Sequence, residues 1–188
     1  MNIFNIINMA NSEYGDYGYR TQKLEELETL ICHKFSFDDI YTYYQFVKFA
    51  DKNKIERVLL ESKNPKFVYL IALKNRYKIN VKYYEDKLIN YGGVKWYADF
   101  AQKIKGANVT KLEDETIKYN DPELILKFAL LVKNANIQKL EQAIIKTTSA
   151  KYIYLFATNV KGANKKKLKK IYNREKYFKS INETSLLK

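Results

Sequence analysis

A tandem repeat of 28 or 29 residues is the feature that most constrains how this chain folds. Residues 66–72 read KFVYLIA and residues 151–157 read KYIYLFA, while Lys-Gly-Ala-Asn stands at residues 105–108 and again at 161–164. Units of this length cannot bury an apolar face alone, so such repeats stack on one another. One equivalent position recurs along the chain at Tyr44, Ala72, Ala101, Ala129 and Ala157.

Signals for a helix start stand eight residues before each of these positions. They are residue types that suit the N-cap, where a side-chain oxygen accepts one of the first N–H groups or, for glycine, the flexible backbone adopts the cap conformation. The five residues are Ser36, Asn64, Gly93, Asp121 and Ser149. Pro65 and Pro122 follow two of these caps at the first helical position, where the missing N–H costs nothing. Each cap therefore predicts the first helix of a repeat.

A second helix is predicted in the same repeats. Gly106 and Gly162 are expected to take the left-handed conformation that ends a helix, and Asn108, Asn136 and Asn164 are expected to cap the next one. Leu112, Leu140 and Leu168 lie four residues inside these caps, where a buried position is expected.

Helices of about ten residues are marginal alone, so they must pack on their neighbours. We predict an all-α fold, a right-handed stack of antiparallel helix pairs (an α-solenoid) with about five repeats plus capping helices. The whole chain is predicted to be one helical-repeat domain. Its parts are an N-terminal cap and loop over residues 1–35, five repeats over residues 36–173, and a basic C-terminal tail over residues 174–188.

This pattern resembles the short helix pairs of HEAT and ankyrin-like repeats, in particular the Lys-Gly-Ala-Asn tandem helical repeats of low-GC bacteria and their phages. The resemblance covers residues 36 to 173. The unit is shorter than a HEAT repeat, and the ankyrin Thr-Pro-Leu-His turn is absent. The resemblance implies a binding protein and carries over no catalytic residue.

Positive charge is concentrated at the C-terminal end. The chain has a formal net charge of +13, yet residues 142–188 contain twelve Lys or Arg and only Glu175 and Glu183 as acids. A basic surface with interspersed aromatic rings is typical of nucleic-acid binding, since cations contact phosphates and rings stack on unpaired bases. The predicted nucleic-acid-binding residues are Lys161, Lys165, Lys166, Lys167, Lys169, Lys170, Arg174, Lys176 and Tyr177.

Two other interpretations of this charge stay open at the level of sequence. Lysines can simply keep the end of a repeat stack soluble, or they can face an acidic protein surface. Tyr41, Tyr69 and Tyr154 share one register position, and such a row either forms a binding ridge or packs neighbouring repeats together.

Signals for catalysis are weak. His33 is the only histidine, which excludes paired-histidine metal sites, and the adjacent Cys32 is expected to fill the core. The acids at residues 25–28, 38–39 and 113–115 are expected on polar faces or near helix starts. We therefore predict a protein that is not an enzyme, with no cofactor and no metal site.

The expected partner is nucleic acid or a ribonucleoprotein complex, with no membrane partner. For a phage-like genome, one specialisation is an inhibitor of a host defence complex such as CRISPR. The alternative is a protein–protein interaction scaffold that grips a partner in the concave face of the solenoid. With one cysteine and no apolar run near the roughly 20 residues that span a bilayer, a cytoplasmic location is expected.

Overall fold

The structure, a computed structural model, describes residues 2–12 and 22–173. All regular secondary structure in these residues is helical. The helices are α1 (Ile3–Ser12), α2 (Gln22–Lys34), α3 (Phe37–Phe46), α4 (Lys52–Glu61), α5 (Pro65–Lys74), α6 (Val81–Asn90), α7 (Val94–Lys103), α8 (Val109–Tyr119), α9 (Pro122–Leu131), α10 (Ile137–Lys146), α11 (Ala150–Asn159) and α12 (165–173). The predicted all-α fold is confirmed for this part of the chain.

The predicted helix starts are confirmed, although Gly93 and Ser149 cap their helices without a side-chain hydrogen bond. The five first helices, α3, α5, α7, α9 and α11, each begin at the residue after the predicted N-cap. In the second helices, the side-chain oxygens of Asn108, Asn136 and Asn164 accept the backbone N–H three residues later at 3.0, 3.1 and 3.1 Å. These bonds satisfy N–H groups that have no partner within the helix.

The predicted turn glycines are also confirmed. Gly106 and Gly162 both have φ of +88°, which a residue with a Cβ adopts only with strain. Gly93 has an ordinary φ, but a Cβ there would lie 2.7 Å from the carbonyl oxygen of Leu88. Glycine is therefore required at this cap because α6 and α7 approach closely.

The core follows the repeat period. Phe100, Phe128 and Phe156, one from each of three successive first helices, are all fully buried. Leu112, Leu140 and Leu168 are buried in the same way on the second helices, as their position inside the caps predicted. Each of these three repeats thus buries one phenylalanine and one leucine at equivalent positions.

The structure divides into two compact units, one ending at Ile71 and the other beginning at Ala72. In the first unit, α1 packs on α2 and α3, and α3 packs on α4. In the second, α7 packs on α8 and α9, and α9 packs on α10 and α11. The predicted division into one repeat domain with a C-terminal tail stays a prediction.

Helix α1 lies within the residues predicted to be an N-terminal cap and loop. Ile6, Ile7 and Ala10 form a buried face on it, which explains why a helix forms there. Residues 11 and 12 belong to this helix and not to the predicted loop, and residues 13–21 lie outside the described residues. No helix in the described ranges is both long and apolar enough to cross a membrane.

Candidate nucleic-acid interface

The predicted lysines lie on α12 and on the loop before it. All six that the structure describes are exposed: Lys161, Lys165, Lys166, Lys167, Lys169 and Lys170. Leu168 is buried, so the lysines surround the helix everywhere except along the strip that packs inward. Arg174, Lys176 and Tyr177 lie outside the described residues.

Lys167 differs from the other five. Its ammonium donates to Glu141 Oε1 at 3.1 Å, and Glu141 Oε2 accepts the backbone N–H of Asn164 at 2.7 Å. Lys167 therefore neutralises a buried carboxylate and stabilises the start of α12. The remaining five form no ion pair with any other residue in the described ranges. We call these five the C-terminal lysine cluster: Lys161, Lys165, Lys166, Lys169 and Lys170.

A groove of about 350 Å³ lies between α11 and α12 beside this cluster. Its lining residues are Tyr154, Ala157, Thr158, Lys165, Lys169, Tyr172 and Asn173. The rings of Tyr154 and Tyr172 have centroids 5.3 Å apart and an interplanar angle of 42°. The groove thus combines an aromatic floor with two ammonium groups.

The same face has a different composition one repeat earlier. Leu126 and Ile144 stand 28 residues before Tyr154 and Tyr172, and Ile137 stands 28 residues before Lys165. On that earlier pair, α9 and α10, the next helix α11 packs directly. On the pair of α11 and α12, tyrosine and lysine replace these apolar residues, which makes the face suitable for a polar ligand.

Buried glutamates join successive second helices in both units. Each accepts the backbone N–H of the N-cap residue 23 positions later, at 2.7 or 2.8 Å. The pairs, which we call glutamate rungs, are Glu28–Asp51, Glu85–Asn108, Glu113–Asn136 and Glu141–Asn164. All four glutamates are at least 94% buried, with exposures between 0 and 6%.

This finding corrects the sequence interpretation of two acids. Glu28 and Glu113 were expected on polar faces or near helix starts, and that expectation is wrong for both because they are buried. The reason is tertiary, since the cap of the following helix has N–H groups that need an acceptor. A carboxylate supplies it, and for Glu113 the ammonium of Lys139, 3.6 Å from the other carboxylate oxygen, offsets part of the cost of burying the charge.

Lysines three residues into α8 and α10 flank the rungs. Lys111 contacts Asp86 at 2.5 Å and Glu85 at 3.7 Å, and Lys139 pairs in the same way with Asp114 and Glu113. The hydrogen bond that Lys111 donates to Asp86 raises the pKa of Lys111 and lowers the pKa of Asp86. Lys111 and Lys139 therefore form ion pairs within the fold and differ from the unpaired lysines of the C-terminal lysine cluster.

Lys169 stands in the register of these glutamates, 28 residues after Glu141. An ammonium group has no hydrogen-bond acceptor, so α12 has no group at this position that can accept the N–H of a following cap. The position that carries a structural acid in earlier repeats thus carries a free cation beside the groove.

A row of lysines, of which the sequence analysis named only Lys161, lies on the loops between the first and second helices. Lys105, Lys133 and Lys161 are spaced by 28 residues, and all are exposed. Each occupies the second position of a turn closed by an N–H to C=O bond of 3.2, 3.2 or 3.4 Å. The 28-residue spacing of Lys105, Lys133 and Lys161 would have identified these lysines if the repeat period had been applied to polar as well as apolar positions.

The loop from α5 to α6 extends this edge. Its residues Arg76, Tyr77 and Lys78 are exposed, and Tyr77 is 84% accessible. The Arg76 guanidinium lies 4.9 Å from the centre of the Tyr77 ring. Val81, just after this loop, lies 3.9 Å from where a Cβ of Gly106 would be, so the loop end and the next loop are neighbours.

The remaining candidate residues are placed as follows. Tyr69 is buried and Tyr41 is half-buried with its ring 6.0 Å from that of Phe67, whereas Tyr154 is half-exposed. Tyr41 and Tyr69 therefore pack against their neighbours in the first unit, whereas Tyr154 is partly exposed to solvent in the second. Cys32, expected in the core, is only half-buried, and desolvation raises the pKa of its thiol; His33 is exposed.

Among the described residues, no three or more His, Cys, Asp or Glu side chains are grouped so that they could hold a metal ion. Comparisons with protein-family models, with curated proteins and with solved structures found no match.

Proposed function

We propose that this chain is a non-enzymatic helical-repeat protein that binds nucleic acid, or a complex containing it, through its basic C-terminal surface. In this proposal the helix pairs continue as a right-handed α-solenoid. The observation that carries the proposal is the groove between α11 and α12, which is lined by the neighbouring rings of Tyr154 and Tyr172 together with Lys165 and Lys169.

The chemistry of this groove fits a single strand better than a duplex. Unpaired bases have exposed faces that stack on aromatic side chains, and each such contact contributes about 1–3 kcal/mol. The flanking lysines attract the phosphates on either side, and release of bound counterions makes the binding sensitive to salt. A paired base offers no free face to the tyrosines.

The first test is fluorescence anisotropy with labelled single-stranded and duplex RNA and DNA at about 50 and 200 mM salt. We expect binding to single strands that weakens as salt rises but remains measurable at the higher concentration. Absence of binding to all four ligands would overturn the proposal and favour the alternative, a scaffold for a protein partner.

A variant with K165Q, K169Q and K170Q tests the site. We expect affinity to fall by about tenfold or more, because three phosphate contacts are lost. The control variant carries K34Q, K95Q and K146Q, three exposed lysines outside the cluster that remove the same total charge. Equal losses in the two variants would indicate an effect of net charge alone.

A variant with Y154L and Y172I tests the stacking. Leucine and isoleucine are the residues found one repeat earlier, at Leu126 and Ile144, so the packing tolerates them. We expect the preference for single strands to decrease while the response to salt persists. The narrower hypothesis of a phage inhibitor of a defence complex stays a prediction.

A further inference from the structure

The positive charge of the second unit is not confined to α12. Three segments that run from the end of a first helix into a second one, residues 73–82, 102–111 and 130–139, contain nine Lys or Arg and no Asp or Glu. The first turns of α6, α8 and α10 contain no acidic residue, although acids stabilise helix N-termini. At α8 and α10 the acids near the helix start are instead Glu85 and Glu113, which are buried on the preceding second helix and accept the N–H of the cap residue.

The glutamate rungs place the loops side by side. Asn108 and Asn136 close the second and third of these loops, Asn164 closes the loop before α12, and the backbone N–H of each is bound at 2.7 Å by the glutamate of the preceding second helix. Because the same bond recurs with the same spacing, one loop is related to the next by one repeat. The lysine of each loop therefore falls into line with its equivalents.

The acids nearest this line are already paired. Asp86 and Asp114 accept hydrogen bonds from Lys111 and Lys139, so each acid has its own lysine. By contrast, Lys78, Lys105 and Lys133 form no ion pair with another residue that the structure describes. The charge that faces solvent along the line is therefore positive. We call the line the loop row: Arg76, Lys78, Lys105, Lys133 and Lys161.

We propose that the loop row binds consecutive phosphates along the backbone of one nucleic-acid strand, whose other end reaches the groove between α11 and α12. This inference rests on the proposed function and extends it from one helix to a track along the second unit. Packed helices lie about 8–10 Å apart, so the row offers cations at roughly that interval. Such regular spacing suits a polyanion of regular repeat better than a folded protein surface.

The exposed Tyr77 gives the far end of the track an aromatic ring. With Arg76 stacked against one side, this ring has a face available for an unpaired base. The strand is thus stacked on tyrosines at both ends and held by phosphate contacts between them.

The test compares three variants that each remove three positive charges. The row variant carries K78Q, K105Q and K133Q, the cluster variant carries K165Q, K169Q and K170Q, and the control variant carries K34Q, K95Q and K146Q. Affinity for a labelled single-stranded 20-mer is measured from about 50 to 300 mM salt. Each lost phosphate contact lowers the slope of log affinity against log salt by about 0.7.

We expect the row variant to lower this slope by about 2 and the affinity by about tenfold, while the control leaves the slope unchanged. A row variant that binds like the control, together with a weakened cluster variant, would overturn the loop row and leave the proposed function intact. No binding by the unmodified protein would overturn both. Circular dichroism confirms that each variant keeps its helices.

Discussion

The glutamate rungs and the loop row both run through the second unit with a 28-residue period, but the glutamates are buried and the row is exposed. The carboxylate of Glu113 is 2% exposed and bonded to the N–H of Asn136, whereas Lys133, three residues before that asparagine, is exposed. Periodicity alone therefore does not separate a structural charge from one that is free to bind. The partner that the fold brings to each charge makes the distinction.

The comparison shows that stability and surface charge come from different residues in this protein. The buried carboxylates of Glu85, Glu113 and Glu141, each with a lysine beside it, join one repeat to the next. The exposed lysines contribute little to folding because solvent screens them. Changes to the rungs should lower stability, and changes to the loop row should weaken binding while leaving stability nearly unchanged.

The largest effect is expected for E113A. Removing the carboxylate leaves the N–H of Asn136 without its acceptor in a buried site, which should lower the free energy of unfolding by about 2–3 kcal/mol. Urea denaturation measures the loss. The control is E115A on the same helix, whose carboxylate pairs with Lys118 near the surface and should contribute within about 0.5 kcal/mol. Equal effects of the two substitutions would contradict the importance of the rung.

A smaller effect is expected for N136A. The Asn136 side chain caps α10 by accepting the N–H of Lys139, and loss of such a cap costs about 1 kcal/mol. The backbone N–H of residue 136 still bonds to Glu113, so the rung survives. Thermal unfolding should show a fall in midpoint less than that of E113A; a larger fall would mean that the cap matters more than the rung.

A still smaller effect is expected for K139Q. Lys139 is 38% exposed, and ion pairs near the surface contribute about 0.5 kcal/mol or less after screening. K133Q, six residues earlier in the loop row, should leave the unfolding midpoint unchanged. The pair of urea titrations tests the comparison directly, since a stability loss for K133Q and none for K139Q would reverse it.

The smallest effect concerns pH. The hydrogen bond from Lys111 lowers the pKa of Asp86 below its ordinary value of 3.8 in the folded state. A lowered folded pKa stabilises the fold above pH 3.8, and this contribution is lost as pH falls through the folded value. The difference in unfolding midpoint between the unmodified protein and D86N should therefore shrink below pH 4. A difference that stays constant with pH would contradict the pairing.

Much of the local structure could be predicted because it depends on neighbours in sequence. Asn164 and Gly162 predicted the start of α12. The structure has the expected cap at Asn164 and the expected left-handed conformation at Gly162. Helix α1 was not predicted because no equivalent segment elsewhere in the repeats indicates a helix there. Its buried face at Ile6 and Ile7 is nevertheless visible in the sequence.

The candidate site was only partly predictable. The exposed lysines of α12 were expected from composition, but Lys167 could not be separated from Lys166 without its contact to Glu141. The aromatic groove needed the packing of α11 against α12, which brings Tyr154 to Tyr172. The loop row needed the rungs, because only they place Lys105 and Lys133 on neighbouring loops.

The helices, their caps and the period of the core follow from the sequence alone, since these depend on contacts a few residues apart and on apolar spacing. Which charges are buried and which are free depends on the packing of helices that lie far apart in the sequence. Glu113 and Glu115 are near neighbours on one helix and look alike in sequence. The first is buried against the cap at Asn136 and the second pairs with Lys118 near the surface, because burial depends on what packs opposite.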